Sequence, residues 1–216
     1  LKTFALAAAT VFALSAGTAA HAVEVYGGVG TDGITGGLGF SIEPHDNIRA
    51  EFSGFSLSHG FNSDGLHYDG TYKITHGGLF LDIFPAPSVV GLRVTAGVLI
   101  GDDTLSGDAT PMNGTYTFNG VTVPSGGETV HAKASYPTVR PYLGVGFGHN
   151  PLKRGFSVTF DAGVTYGKPH VDFDVPADLV ALAGQQNVNA EEQSLQNKAN
   201  DLKFYPIVKL GVTYRF

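Results

Sequence analysis

Cysteine and tryptophan are absent from the 216 residues, and methionine occurs once. Without a thiol there is neither a disulfide framework nor a thiolate metal site. The 8 histidines are scattered with no HxxxH or similar ligand spacing, so no metal centre is expected. Basic residues are scarce as well. Lys and Arg number 13 against 19 Asp and Glu, a formal charge of −6, which argues against nucleic acid as a partner. Past the first stretch, no run approaches the roughly eighteen apolar residues of a membrane helix. No serine sits in a recognisable motif with a histidine and an acid. His67 with Asp69, and His170 with Asp172 and Asp174, have the composition of a base and its orienting carboxylate. Alternating His and Asp is nevertheless common on exposed strand rims, so no catalytic residue and no cofactor is assigned.

The chain is rich in turn formers and aromatics, with 30 Gly, 15 Phe and 9 Tyr. Its first residues form a separate unit. Lys2 precedes the apolar run Phe4–Leu14, and Ala20-His21-Ala22 is a small-x-small cleavage site. This is the layout of a secretory signal peptide, expected to be cleaved after Ala22. Residues 23–216 are then expected to form one domain.

The last fifteen residues, Leu202 to Phe216, set the pattern for that domain. Alternate positions Phe204, Val208, Leu210, Val212, Tyr214 and Phe216 are apolar, while Lys203, Lys209 and Arg215 lie on the other parity. Side chains alternate between the two faces of a strand, and about ten tilted residues cross a bilayer. The same alternation recurs in Val23–Gly30, Ile34–Ile42, Ile48 to about Ser58, a segment ending near Phe84, Leu92–Ile100, Val139–Phe147 and Phe156–Tyr166. In the segment before Phe84, the upper part Tyr68–Ile74 has inverted parity, which predicts a bulge or a strand rising above the bilayer. The expected fold is all-β: an eight-stranded antiparallel up-and-down transmembrane barrel, apolar outside and polar inside. Two long insertions, Asp102–Ser135 and Pro176–Asp201, fall on the extracellular side. The first holds a hairpin at Asn119-Gly120, and the second a short helix in AEEQSLQNKAND.

Inward parity collects Glu24, Glu51, Asp82 and Asp161 against Arg49, Arg93, Arg140, Lys203, Lys209 and Arg215. An eight-stranded barrel has an interior that side chains just fill, so these charges either pair as a plug or line a narrow polar path. Asp161 is expected to meet Arg140 and Lys209 on the two adjoining strands. The inward bases outnumber the acids, which argues against a cationic substrate. Many inward glycines leave volume near the wall, or relieve crowding where the barrel curves.

RPYLGVGFG (Arg140–Gly148), FSVTFDAGVTYGKPHVDF (Phe156–Phe173) and KANDLKFYPIVKLGVTYRF (Lys198–Phe216) resemble the CarO-type family of small outer-membrane channels. More broadly, the layout is similar to eight-stranded barrels of the OmpA and OmpW type. The resemblance implies a cell outer-membrane location, with lipid and lipopolysaccharide as surroundings. It further implies uptake of small basic amino acids such as ornithine, and carbapenem entry. Tyr214 and Phe216 would be the assembly signal that the barrel-insertion machinery reads. The alternative is a non-conducting structural or adhesive barrel, of the OmpA or OmpX kind, whose extracellular loops bind partners.

Overall fold

The computed structural model describes residues 23–63 and 65–216, so the expected signal peptide lies outside it. In chain order the elements are β1 (Val23–Gly30), β2 (Gly33–Glu43), β3 (Asp46–Ser63), β4 (Leu66–Ile83), β5 (Leu92–Gly101), β6 (Thr104–Pro111), β7 (Thr115–Phe118) and β8 (Val121–Pro124). They continue with β9 (Val130–Ser135), β10 (Val139–Phe147), β11 (Gly155–Tyr166), β12 (His170–Asp174), α1 (Ala177–Ala183), α2 (Gln185–Asn200), a 3-10 turn (Asp201–Lys203) and β13 (Phe204–Arg215). Strands β1, β2, β3, β4, β5, β10, β11 and β13 form an antiparallel ring, closed where β1 meets β13 and β4 meets β5. Closure removes both sheet edges, as hydrocarbon demands.

The outer face of the ring is apolar and open. Ile34, Phe52, Leu79, Val94, Leu143, Val158, Leu210 and Val212 all stand exposed around the circumference. In water such a continuous belt would be untenable, but it suits lipid. Aromatic residues mark its two borders. At the end bearing the chain terminus, Tyr214 packs edge-on against both Phe156 and Phe216. At the other end Tyr166 rests on Phe204.

β3 and β4 are 18 residues each and stay paired without a register shift from Asp46↔Ile83 to Ser63↔Leu66. The inverted parity is therefore an extension and not a bulge. On β3 the outward set Ile48, Ala50, Phe52 gives way to Gly54, Ser56 and Ser58, and the other parity changes from buried Glu51 and Ser53 to Phe55 and Leu57, which stand exposed above the ring. Outside and inside exchange polarity where the strands leave the membrane. The strand, expected to end about Ser58, runs on through the polar segment after Gly60 as far as Ser63, because the two strands keep satisfying one another's backbone groups.

Above the rim β4 parts from β5 after His76↔Gly101 and pairs with β6 from Lys73↔Thr104. β9 and β12 extend this sheet: the first insertion contributes β6 and β9 as well as the expected hairpin, β12 lies just ahead of the second, and the second holds the helices. The β7–β8 hairpin, α1 and the start of α2 close over its inner face through Tyr116, Phe118, Val123, Leu179 and Val188, which pack with Val130 of β9. We call this layer above the rim the crown.

Many lumen glycines are covered by neighbouring side chains. A Cβ on Gly163 would lie 2.3 Å from the Tyr142 hydroxyl, and one on Gly97 would lie 2.6 Å from Cδ1 of Phe80. Gly36, on the lipid face, has nothing within 4 Å. Gly163→Val should therefore destabilise the refolded barrel by about 2 kcal/mol, the cost typical of overpacking, and so lower its urea midpoint. Gly36→Val should leave the midpoint unchanged or raise it.

Candidate functional site in the barrel lumen

Strand alternation sends one side chain in every two into the ring, and the register stacks them in layers. The layer nearest the chain terminus centres on Glu24. Its carboxylate contacts Arg215 Nη2 at 2.7 Å and His149 Nδ1 at 2.7 Å, and accepts hydrogen bonds from Asn47 and Thr213 at 3.2 Å. Glu24 and Arg215 are direct register partners on β1 and β13. Arg215 also donates to the carbonyl of His149, in the β10–β11 turn, and to Ser41.

The middle layer is built on Asp82. Arg49 donates to it from Nε at 2.5 Å and from Nη2 at 3.2 Å, and Thr95 donates at 2.6 Å. Arg93 Nε lies 3.3 Å away and its Nη2 pairs with Asp161, whose Oδ1 is also 3.6 Å from Arg49. Arg93 reaches Asp161 by crossing Gly146, the register partner of both; a Cβ there would lie 2.8 Å from the Arg93 Cζ. The Arg49 guanidinium also lies over the rings of Tyr26 and Phe80, at 5.5 and 5.1 Å.

The upper layer joins barrel to crown. Lys209 bridges Glu51 and Asp32, and Asp32 accepts from Ser53 at 3.1 Å. His76 stands between Asp32, at 3.5 Å, and Asp103, at 2.9 Å. Asp103 in turn holds Arg140 Nη1 at 2.6 Å and accepts the Thr75 N–H. Here burial pushes the Asp103 carboxyl up, but the His76 hydrogen bond and the charges of His76 and Arg140 outweigh it and hold the group below its ordinary range.

Of the ten inward charges expected from parity, nine lie in these layers. Lys203 does not. It sits in the 3-10 turn ahead of β13, above the ring, with its ammonium 5.9 Å from the Phe204 ring centroid. The turn breaks the alternation that would have carried Lys203 inward. The expected partners of Asp161 are corrected too. Arg140 turns up to Asp103, and Lys209, although the register partner of Asp161, turns to Glu51 and Asp32. The Gly146 gap leaves Asp161 to Arg93.

Parity reasoning missed Asp32, His76, Asp103 and His149. His76 shares the parity of Asp82 on β4 and was legible there; the other three lie in turns, where alternation says nothing. Their inclusion reverses the charge balance. Buried Glu24, Asp32, Glu51, Asp82, Asp103 and Asp161 now face Arg49, Arg93, Arg140, Lys209 and Arg215, so the expected excess of bases is gone. The space left between the middle and upper layers, beside Arg49, Glu51 and Asp161, is about 10 Å³. That is room for about one water.

Asp82→Asn should leave Arg49 and Arg93 short of their shared carboxylate. Breaking a buried pair from one side costs about 3–5 kcal/mol, so the urea midpoint should fall well below that of Asp178→Asn in the exposed crown. The Asp103 pairings have a pH signature. Because its folded pKa is depressed, their contribution is complete above the ordinary value of 3.8 and is lost as pH falls through the lower folded value. The stability gap between the wild type and Asp103→Asn should therefore be largest at neutral pH and should close in acid.

No family model matches this chain, and no curated protein does either. Solved structures do. CarO from Acinetobacter baumannii is 22% identical, with a TM-score of 0.59, over 90% of this chain and 97% of that one. CarO2 from the same organism is 21% identical, with a TM-score of 0.60, over 91% and 99%. The chain therefore has the fold of the CarO barrels.

Proposed function

We propose that this protein is an outer-membrane barrel whose lumen is shut by paired charges and whose working surface is the extracellular crown. The observation that carries the reading is the Arg49–Asp82–Arg93–Asp161 cluster, buried across the ring, with space for about one water beside it. Opening a path there would part ion pairs in a low-dielectric interior, which is costly. The arrangement of connections supports a cell-surface orientation. Short turns face the end bearing the chain terminus, while the inserted strands and helices all gather at the other end, as in bacterial barrels.

The second reading is a narrow channel for small solutes such as basic amino acids, the activity that the CarO resemblance implies. It requires the same cluster to part. Planar-bilayer recording of the refolded barrel separates the two. The closed reading expects no unitary conductance steps from the wild type, and leak only once Asp82→Asn or Asp161→Asn loosens the plug. Discrete steps in the wild type, with a cation selectivity that those substitutions change, would establish the channel instead.

A further inference from the structure

The crown contains space that its own core does not fill. Its sheet presents a continuous inner face through the register rows Tyr68↔Ala109↔Val130 and Gly70↔Gly107↔Ala132↔Phe173. Above this face α2 turns Glu191, Leu195, Lys198, Ala199 and Leu202 of the following turn toward the sheet, at the spacings that share one side of a helix. Sheet and helix do not meet along the whole length. Two cavities lie between them, of about 190 Å³ and about 320 Å³, and Tyr68, Gly107, Ala132 and Leu195 line both. A Cβ built on Gly107 would meet nothing within 4 Å. Where the lumen glycines are overlaid by neighbours, this one opens on unfilled space.

The chemistry of the two ends differs. The larger cavity is lined mainly by apolar residues such as Leu105, Val171, Leu202 and Phe61, with the exposed Lys133 and Lys198 also on its wall. The smaller one is walled by Tyr68, Tyr116, Phe118 and Phe173, with Glu191 also on its lining. Among the described residues Glu191 makes no ion pair within 4 Å; one oxygen accepts the Asn119 N–H at 3.3 Å. Lys198, at the far end, lies in the last turn of α2, where a cation answers the helix dipole. The exposed crown around the site carries Asp69, Asp108, Asp172, Asp174, Asp178 and Glu192 against few lysines, so its field draws cations. Aromatic faces around a carboxylate suit an ammonium group, and an aliphatic trough beside them suits an alkyl chain.

We propose that this cavity binds an amphiphilic organic cation: an ammonium at Glu191 among the aromatic rings, carried on an unbranched apolar chain that runs over Gly107 toward Leu202. The proposal rests on the crown being the working surface and names the ligand class it takes.

Calorimetric titration of the full barrel in lipid nanodiscs with decyltrimethylammonium, against empty nanodiscs, tests it. The wild type should show one saturable site, and sodium decanoate should show none. Gly107→Val should abolish the site while keeping the unfolding midpoint, since the added carbons enter empty space. Glu191→Gln keeps an acceptor for Asn119 and removes the charge; it should weaken binding at least fivefold, and it carries the test if the Gly107 variant refolds poorly. No saturable heat above empty nanodiscs would overturn the proposal. So would unchanged binding in a folded Gly107→Val, unchanged binding in Glu191→Gln, or decanoate binding as tightly as the cation. A silent titration with a non-conducting barrel rejects the ligand and leaves the closed reading standing, whereas conductance in the wild type rejects that reading whatever the titration shows.

Discussion

A ring of eight strands leaves an interior that neither lipid nor bulk water can fill, and the pairing of Asp82 with Arg49 and Arg93 settles what occupies it. Carboxylate and guanidinium groups are tolerable away from water only when each finds a partner. Both arginines here serve Asp82 and Asp161, so the middle layer links β3, β4, β5 and β11 across the ring. The other layers follow from this one. Glu51, 3.8 Å from Arg49, needs Lys209, and Lys209 then needs no help from Asp161. Glycine is the geometric condition for the whole set, because guanidinium and phenol groups reach across the ring only where a neighbouring strand has no side chain.

Much of this was legible in the sequence. Alternation alone places Val25 outside and Glu24 inside, and the opposition of Glu24 and Arg215 follows once β1 and β13 close the ring. The expected eight strands are present, with β1 spanning Val23–Gly30 as read from its valines. Alternation cannot say which inward charge meets which. Pairing depends on stagger between strands and on gaps such as Gly146, which are properties of the closed ring. It also fails at turns, where Asp32, Asp103 and His149 supply groups that complete the lumen, and where Lys203 leaves it.

The crown was less visible. β6, β9 and β12 are short, and the inner face that they share with β4 is mixed in small and large residues, from Gly107 to Phe173. Such segments carry a weak periodic signal when read singly. Their strand character comes from the exposed edge of β4 above the rim, which offers unpaired backbone groups as a template. The inverted parity of Tyr68–Ile74 was the trace of this in the sequence, and β3 changes over at the same height, after Phe52. It marks the height at which lipid stops being the neighbour and a second core begins.

The unbroken β3–β4 ladder has a mechanical meaning. Eighteen residues at about 3.3 Å each make a rod of about 60 Å, anchored in the ring at one end and forming a wall of the crown at the other. No register slip or change of partner on the β3 side interrupts it, even where Gly54, Gly77 and Gly78 lie close together along it. A rod without a joint acts as a mast. Force applied to the crown passes directly into the hydrogen-bonded ring and is spread around it, instead of being absorbed by a flexing stalk.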